Sequence, residues 1–127
     1  MLADPRRLER QSADGLWVTL IDPVKALSAR SYESEGSITI EVKNEFSPDA
    51  FGIFKIDTSS EGASCTRVPT KPDISVSASV LGAAYLGGLR TSSAARAGRI
   101  AEHRDGALQT FDRLFATTQA PWCPHEF

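Results

Sequence analysis

Gly36-Ser37-Ile38-Thr39-Ile40-Glu41-Val42 is the stretch that decides the fold. Ile38, Ile40 and Val42 occupy every second position, with Thr39 and Glu41 between them. A period of two is the side-chain repeat of a β-strand, so the pattern predicts a strand with one buried face and one wet face. Downstream, Gly52-Ile53-Phe54-Lys55-Ile56-Asp57 reads as a strand. Ser59-Ser60-Glu61-Gly62 reads as the hairpin turn into a further strand, Ala63-Ser64-Cys65-Thr66-Arg67-Val68, which Pro69 and Pro72 end. Asp73 to Ser77 is a short alternating strand.

The period then changes. Val80, Leu81, Ala84 and Tyr85 recur at helical spacing between Ala78 and Leu86, and Gly87-Gly88 supplies a C-terminal stop. Thr91-Ser92-Ser93 can cap a small turn over Ala94 to Ala97, ended by Gly98. Arg99 to His103 reads as a short edge strand. Asp105-Gly106 turns into a last helix, Ala107 to Phe115, whose buried stripe is Leu108, Phe111, Leu114 and Phe115. Upstream, Asp22 is an N-cap followed by Pro23 at the first helical position, opening a helix that runs to Arg30 with Val24 and Leu27 on one face. Before it, Leu16-Trp17-Val18-Thr19-Leu20-Ile21 has the β-branched and aromatic composition of a strand, with Trp17 as a core anchor. The expected order is β-α-β-β-β-β-α-α-β-α. That order describes an α+β fold: a two-layer sandwich with a mainly antiparallel sheet of five to six strands and helices on one face. Residues 1–13, polar and charge-dense, read as a linker or the end of a preceding domain; 14–127 form the domain.

A chain of 127 residues with 41% hydrophobic content suits one domain with one core. Its net charge of −2 creates no field that suggests nucleic acid or an anionic membrane as partner. Arg6, Arg7 and Arg10, the basic cluster, are balanced by Asp4, Glu9 and Asp14. With no apolar run of transmembrane length and no signal peptide, a cytoplasmic location is expected. Cys65 and Cys123 are then expected as free thiols. Cys123-Pro124-His125 has only His103 to assist it, which is a poor basis for a zinc site, and no metal is expected.

Motifs of self-contained catalysis are missing. Gly82, Gly87 and Gly88 lie within and after a helix rather than in a strand-to-helix phosphate loop, and there is no nucleophile elbow. The paired carboxylates Glu33 and Glu35, or Asp57 and Glu61, sit where solvated charges are expected. Tyr85 lies on an apolar helix face, which favours a core role over proton transfer. The exception is the tail, Ala120-Pro121-Trp122-Cys123-Pro124-His125-Glu126-Phe127. Two prolines restrict it and two aromatic side chains can anchor it. An anchored tail would hold the Phe127 α-carboxylate beside Glu126, available to accept a proton or to bind a cation. The competing reading is that Trp122 and Phe127 only close a hydrophobic seam.

Several separated stretches resemble the Eis (enhanced intracellular survival) family of acetyltransferases in order and spacing. They are Asp14 to Trp17, Asp22 to Tyr32, Ser64-Cys65-Thr66, Leu81-Gly82-Ala83-Ala84-Tyr85-Leu86-Gly87-Gly88 and the terminal Glu126-Phe127. The resemblance covers nearly the whole chain and is to the C-terminal, sterol-carrier-protein-like domain of that family. It implies preceding GNAT domains in the same polypeptide, the first of which binds acetyl-CoA and carries the tyrosine general acid. It implies that this chain holds no cofactor and is inactive alone. It also implies that Phe127, through its terminal carboxylate, is the general base toward a cationic amine such as an aminoglycoside. Glu126 would favour polycationic substrates, and the parent protein would be a homo-oligomer. Trp122-Cys123-Pro124-His125 departs from the family pattern. A second function is a stand-alone lipid or sterol carrier, with Trp17, Ile38, Ile40, Tyr85, Phe111 and Phe115 lining a tunnel or else filling a solid core. A third is a pure oligomerisation module.

Overall fold

The computed structural model describes residues 16–43, 51–119 and 121–122. Among these, α1 (Pro23–Ala29) precedes β1 (Gly36–Lys43), β2 (Ile53–Ser59), β3 (Gly62–Arg67) and β4 (Ile74–Ser77). Then follow α2 (Ala78–Tyr85), α3 (Thr91–Arg96), β5 (Ile100–Glu102) and α4 (Ala107–Phe115). The sheet order is β3-β2-β1-β4-β5, and every pairing is antiparallel except β1 with β4. The α+β sandwich expected from the sequence is therefore present, with five strands.

The alternation in β1 does what its period requires. Ile38, Ile40 and Val42 are buried, and in register beside them lie Phe54 and Ile56 of β2 and Ile74 and Val76 of β4. Leu27 of α1, Val80, Leu81 and Ala84 of α2, and Phe111, Leu114 and Phe115 of α4 complete this core. The other face of β1 carries Thr39 and Glu41, with Lys55 opposite Thr39 and Ser75 beside Glu41. The β2–β3 hairpin closes through Ser60-Glu61, with Ser59 paired to Gly62. The N-cap Asp22 accepts from the Lys25 amide and Pro23 occupies the first turn of α1.

The stretch from Leu16 to Ile21 is not a strand. The sheet is built of β3, β2, β1, β4 and β5, and the segment pairs with none of them. The segment crosses α2 instead, where the Val18 carbonyl oxygen lies against Gly82. Leu20 is buried and Val18 packs on the core, while Leu16, Trp17 and Ile21 are exposed. Trp17, expected in the core, is 83% exposed. A second correction concerns α3. Thr91, Ser92 and Ser93 lie inside the helix, and the cap comes from Asp112 of α4.

Candidate functional site

Glu33, Gly87 and Gly88 meet Thr117, Thr118 and Pro121 beyond the end of α4. Gly87 has φ +84° and ends α2 in the left-handed conformation open to glycine. A β-carbon there would stand 2.4 Å from Thr117 Oγ1, and one on Gly88 would stand 3.0 Å from Pro121 Cγ. The two glycines thus form a floor of bare backbone under the departing chain. Across from it, the Glu33 carboxylate grips Thr118 at two points. Oε1 accepts the Thr118 amide at 2.9 Å, and Oε2 accepts the Thr118 hydroxyl. These bonds hold the Glu33 pKa below its ordinary value, the hydroxyl contributing most. Thr117 donates its own hydroxyl to the Gln119 carbonyl at 2.8 Å.

Arg30 fixes the elements under this seat. Its Nε donates to the Tyr85 carbonyl at 2.8 Å, and Nη1 and Nη2 donate to the Leu114 and Phe115 carbonyls at 3.3 and 3.0 Å. These carbonyls are the negative ends of α2 and α4, so one cation closes two helix C-termini. The guanidinium also lies 4.6 Å from the Tyr32 ring centre and 4.9 Å from that of Phe115. Burial lowers its pKa, against the nearby tyrosines and Glu33. Tyr85 donates its hydroxyl to the Ala26 carbonyl at 3.0 Å, a structural role as expected.

On the sheet's other face, a cluster that the sequence does not announce joins three strands. Ser75 Oγ donates to Glu41 Oε2 at 2.5 Å and lies 2.7 Å from His103 Nε2. Because the serine's one proton goes to the carboxylate, the imidazole donates rather than accepts. Nucleophilic catalysis needs the histidine between acid and serine, with its nitrogen taking the serine proton. Here the serine is in the middle, so the group ties β1, β4 and the end of β5 together without activating Ser75. The signal was present only as register: Glu41 pairs with Ser75, and no spacing along the chain reveals it.

Each described helix N-terminus has a side-chain acceptor for its free amides. Asp22 caps α1, Ser77 accepts from the Val80 amide of α2, Asp112 takes the Thr91 and Ser92 amides of α3, and Glu102 accepts the Leu108 amide of α4 at 3.0 Å. Three of those four acceptors are carboxylates, which repel a phosphate from the place where a helix would otherwise attract one.

Two shallow hollows are present. One of about 420 Å³ is lined by Ser92, Arg96, Glu102 and Gln109 among others, and one of about 130 Å³ by Arg90, Asp112 and Thr117 among others. Neither is lined by the residues considered for a lipid tunnel. Ile38, Ile40, Phe111 and Phe115 are buried against one another, Phe111 stacks on Phe115 at 4.1 Å, and Trp17 is outside. Among the described residues no group of three or more His, Cys, Asp or Glu side chains is placed to hold a metal ion, and no helix is long and apolar enough to cross a membrane. Cys65 is a buried free thiol, its pKa pushed up to about 11 by desolvation. Residues 1–13, Cys123, His125 and the candidate site residues Glu126 and Phe127 lie outside the described residues. Trp122 is described and is 83% exposed, so it closes no seam within this domain.

The family profile described as "Sterol carrier protein domain" matches residues 23–124. An uncharacterized N-acetyltransferase of Streptomyces coelicolor is 41% identical over 126 residues, covering 99% of this chain and 30% of that protein. The N-acetyltransferase Eis of Mycobacterium tuberculosis is 32% identical over 107 residues, 82% of this chain and 25% of its own length. Among solved structures, the Eis protein of Mycobacterium abscessus superposes with a TM-score of 0.70 at 33% identity, over 85% of this chain and 27% of that one. A GCN5-related N-acetyltransferase from Kribbella flavida reaches a TM-score of 0.75 at 17% identity, over 86% of this chain and 28% of that one, a likeness of fold. The chain thus spans about 30% of the length of the curated Streptomyces relative.

Proposed function

The chain belongs to the sterol carrier protein domain family, in the form found within Eis-type N-acetyltransferases, and from that membership we propose that it is the accessory domain of a longer acetyl-CoA-dependent N-acetyltransferase. The observation that carries the accessory role is the state of the helix N-termini. A domain that matches acetyltransferases along its length, yet fills its own anion-binding positions with Asp22, Asp112 and Glu102, is suited to serve a cofactor site built elsewhere. Acetyl-CoA supplies the acetyl group there, on GNAT domains of the same polypeptide. In this reading the α-carboxylate of Phe127 takes the proton from the substrate ammonium. An ordinary α-carboxyl has a pKa of ~3.3–3.7, so the group needs desolvation in a closed cleft, or a relaying water, to act as a base. Glu126 adds a second negative charge and favours a cationic amine, of which an aminoglycoside is one kind. The parent protein is a homo-oligomer in this reading, and the proteins work in the cytoplasm.

The test is steady-state acetylation of a polyamine or aminoglycoside by the full-length protein. Deleting Phe127, or appending residues after it, should lower turnover by ~10²–10⁴-fold, the usual loss for a positioned general base. Glu126→Gln should act mainly on KM for polycationic amines. Wild-type turnover with an extended C-terminus sinks the assignment of Phe127.

A further inference from the structure

We propose that β5 is a self-pairing edge: two copies of this chain associate through it, antiparallel about Ala101, and continue one sheet across a two-fold axis. β5 ends the sheet order, and its register fixes which of its main-chain groups are free. The His103 amide donates to the Asp73 carbonyl at 2.8 Å, one step beyond the pairing of Ile74 with Glu102. Hydrogen-bonded and unbonded pairs alternate along an antiparallel ladder, so Ala101, like His103, turns its N–H and C=O to β4. Ile100 and Glu102 turn theirs to the open side, where no described strand lies. The opposite edge differs. There α1 packs on β3, and Ser28 Oγ accepts the Cys65 amide at 2.9 Å. Among the described residues one edge of the sheet is thus covered from within the domain and the other is left open.

A row of unpaired main-chain groups is a template for another strand. What selects a second copy is the order of charge along this edge. Arg96 and Arg99 precede β5, while Glu102 ends it and Asp105 follows, and all four are exposed. Arg96, Arg99 and Asp105 make no ion pair among the described residues, whereas Arg104 is held by Asp73 at 2.6 Å. Glu102 keeps its side chain on the Leu108 amide, which leaves its main chain free. An antiparallel partner reads the same strand backwards. Centred on Ala101, it sets the arginine end of each copy against the acidic end of the other, with Arg99 diagonal to the partner's Asp105 on both sides of the axis. A parallel partner would set like charges together. In this register Ile100 lies opposite the partner's Glu102, and the two exchange N–H···O bonds. Ala101 meets the partner's Ala101 as an unbonded pair with Cα atoms about 4.5 Å apart, a spacing that suits a methyl side chain. Edges that resist pairing carry lysine, proline or a bulge. Ile100-Ala101-Glu102 has neither lysine nor proline, and its flanking charges are of opposite sign.

A strand of 3 residues makes a small interface, so the dimer is weak and its population rises with concentration. Sedimentation of the 127-residue chain over a roughly hundredfold range of concentration should move from the mass of one chain toward that of two. The Ile100 and Glu102 amides should gain hydrogen-exchange protection over the same range. Ala101→Lys sets two cations against each other at the axis and should abolish both changes. Arg99→Glu and Asp105→Arg should each do the same. An equimolar mixture of those two variants should dimerise again, because every contact between positions 99 and 105 regains opposite signs. All three positions are exposed, so each variant should keep the wild-type melting midpoint in dilute solution. The pairing is read without acetyl-CoA or an amine, so it stands or falls apart from the assignment of Phe127. A chain that stays monomeric throughout overturns the proposal. A dimer that survives Ala101→Lys uses another face and overturns it too, as does a mixture that associates no better than its components.

Discussion

Asp112 shows how one side chain replaces a local signal with a tertiary one. It lies on α4, yet Oδ1 accepts the Thr91 amide at 2.5 Å and the Thr91 hydroxyl, and Oδ2 accepts the Ser92 amide at 3.2 Å. Burial raises the Asp112 pKa, but the bonds from Thr91 and Ser92 outweigh it and the net shift is downward. A carboxylate whose pKa is depressed by folding stabilises above its unfolded value and loses that contribution as pH falls through the folded one. Asp112→Ala should therefore destabilise the chain by about 1–3 kcal/mol at neutral pH, a lost cap plus orphaned buried donors. The gap between wild type and variant should narrow below about pH 4. Urea unfolding of both proteins at pH 7 and pH 3 measures it, and a gap that widens in acid would refute the assignment. The Thr91, Ser92 and Ser93 hydroxyls looked sufficient as local caps. They were displaced because Thr91 is fully buried and a carboxylate from α4 satisfies its groups better than water could.

At the scale of elements, α2 and the segment 16–20 explain why one expected strand did not form. Apolar composition marks Leu16 to Ile21 for burial, and β-branched residues favour extended backbone. What composition does not encode is what the segment packs against. Val18 and Leu20 pack into the core, while Trp17 and Ile21 are exposed. The close crossing is made at Gly82, where a β-carbon would stand 1.9 Å from the Val18 carbonyl oxygen. Replacing a mid-helix glycine by alanine ordinarily stabilises by about 1 kcal/mol. Here the sign should reverse. Gly82→Ala should lower the denaturation midpoint, because backbone rather than a side-chain tip must move aside. A raised midpoint would mean that the segment does not lie on α2. By contrast α1, β1, β2, β3 and α4 were legible because each carries its own period, and its own cap, turn or stop, in adjacent residues.

At the scale of the molecule, the filled core and the occupied helix ends constrain what the domain does unaided. The 127-residue chain alone should give no heat with acetyl-CoA in calorimetric titration and no acetylation of amines; a micromolar dissociation constant would overturn the accessory reading. The sequence by itself determined the α+β class, the alternating faces of β1, the glycine stop of α2 and the buried stripe of α4. All of these rest on short-range periodicity and backbone preference. It also carried the family resemblance that the comparisons bear out. Only the tertiary structure decided that Leu16 to Leu20 is no strand, that Asp112 caps α3, that Ser75 stands between Glu41 and His103, and that Glu33 takes hold of Thr118. Each of these joins residues far apart in the chain, through a close crossing, a register or a packing distance. No pattern of neighbours along the sequence records such a meeting, because it exists only once the layers have closed.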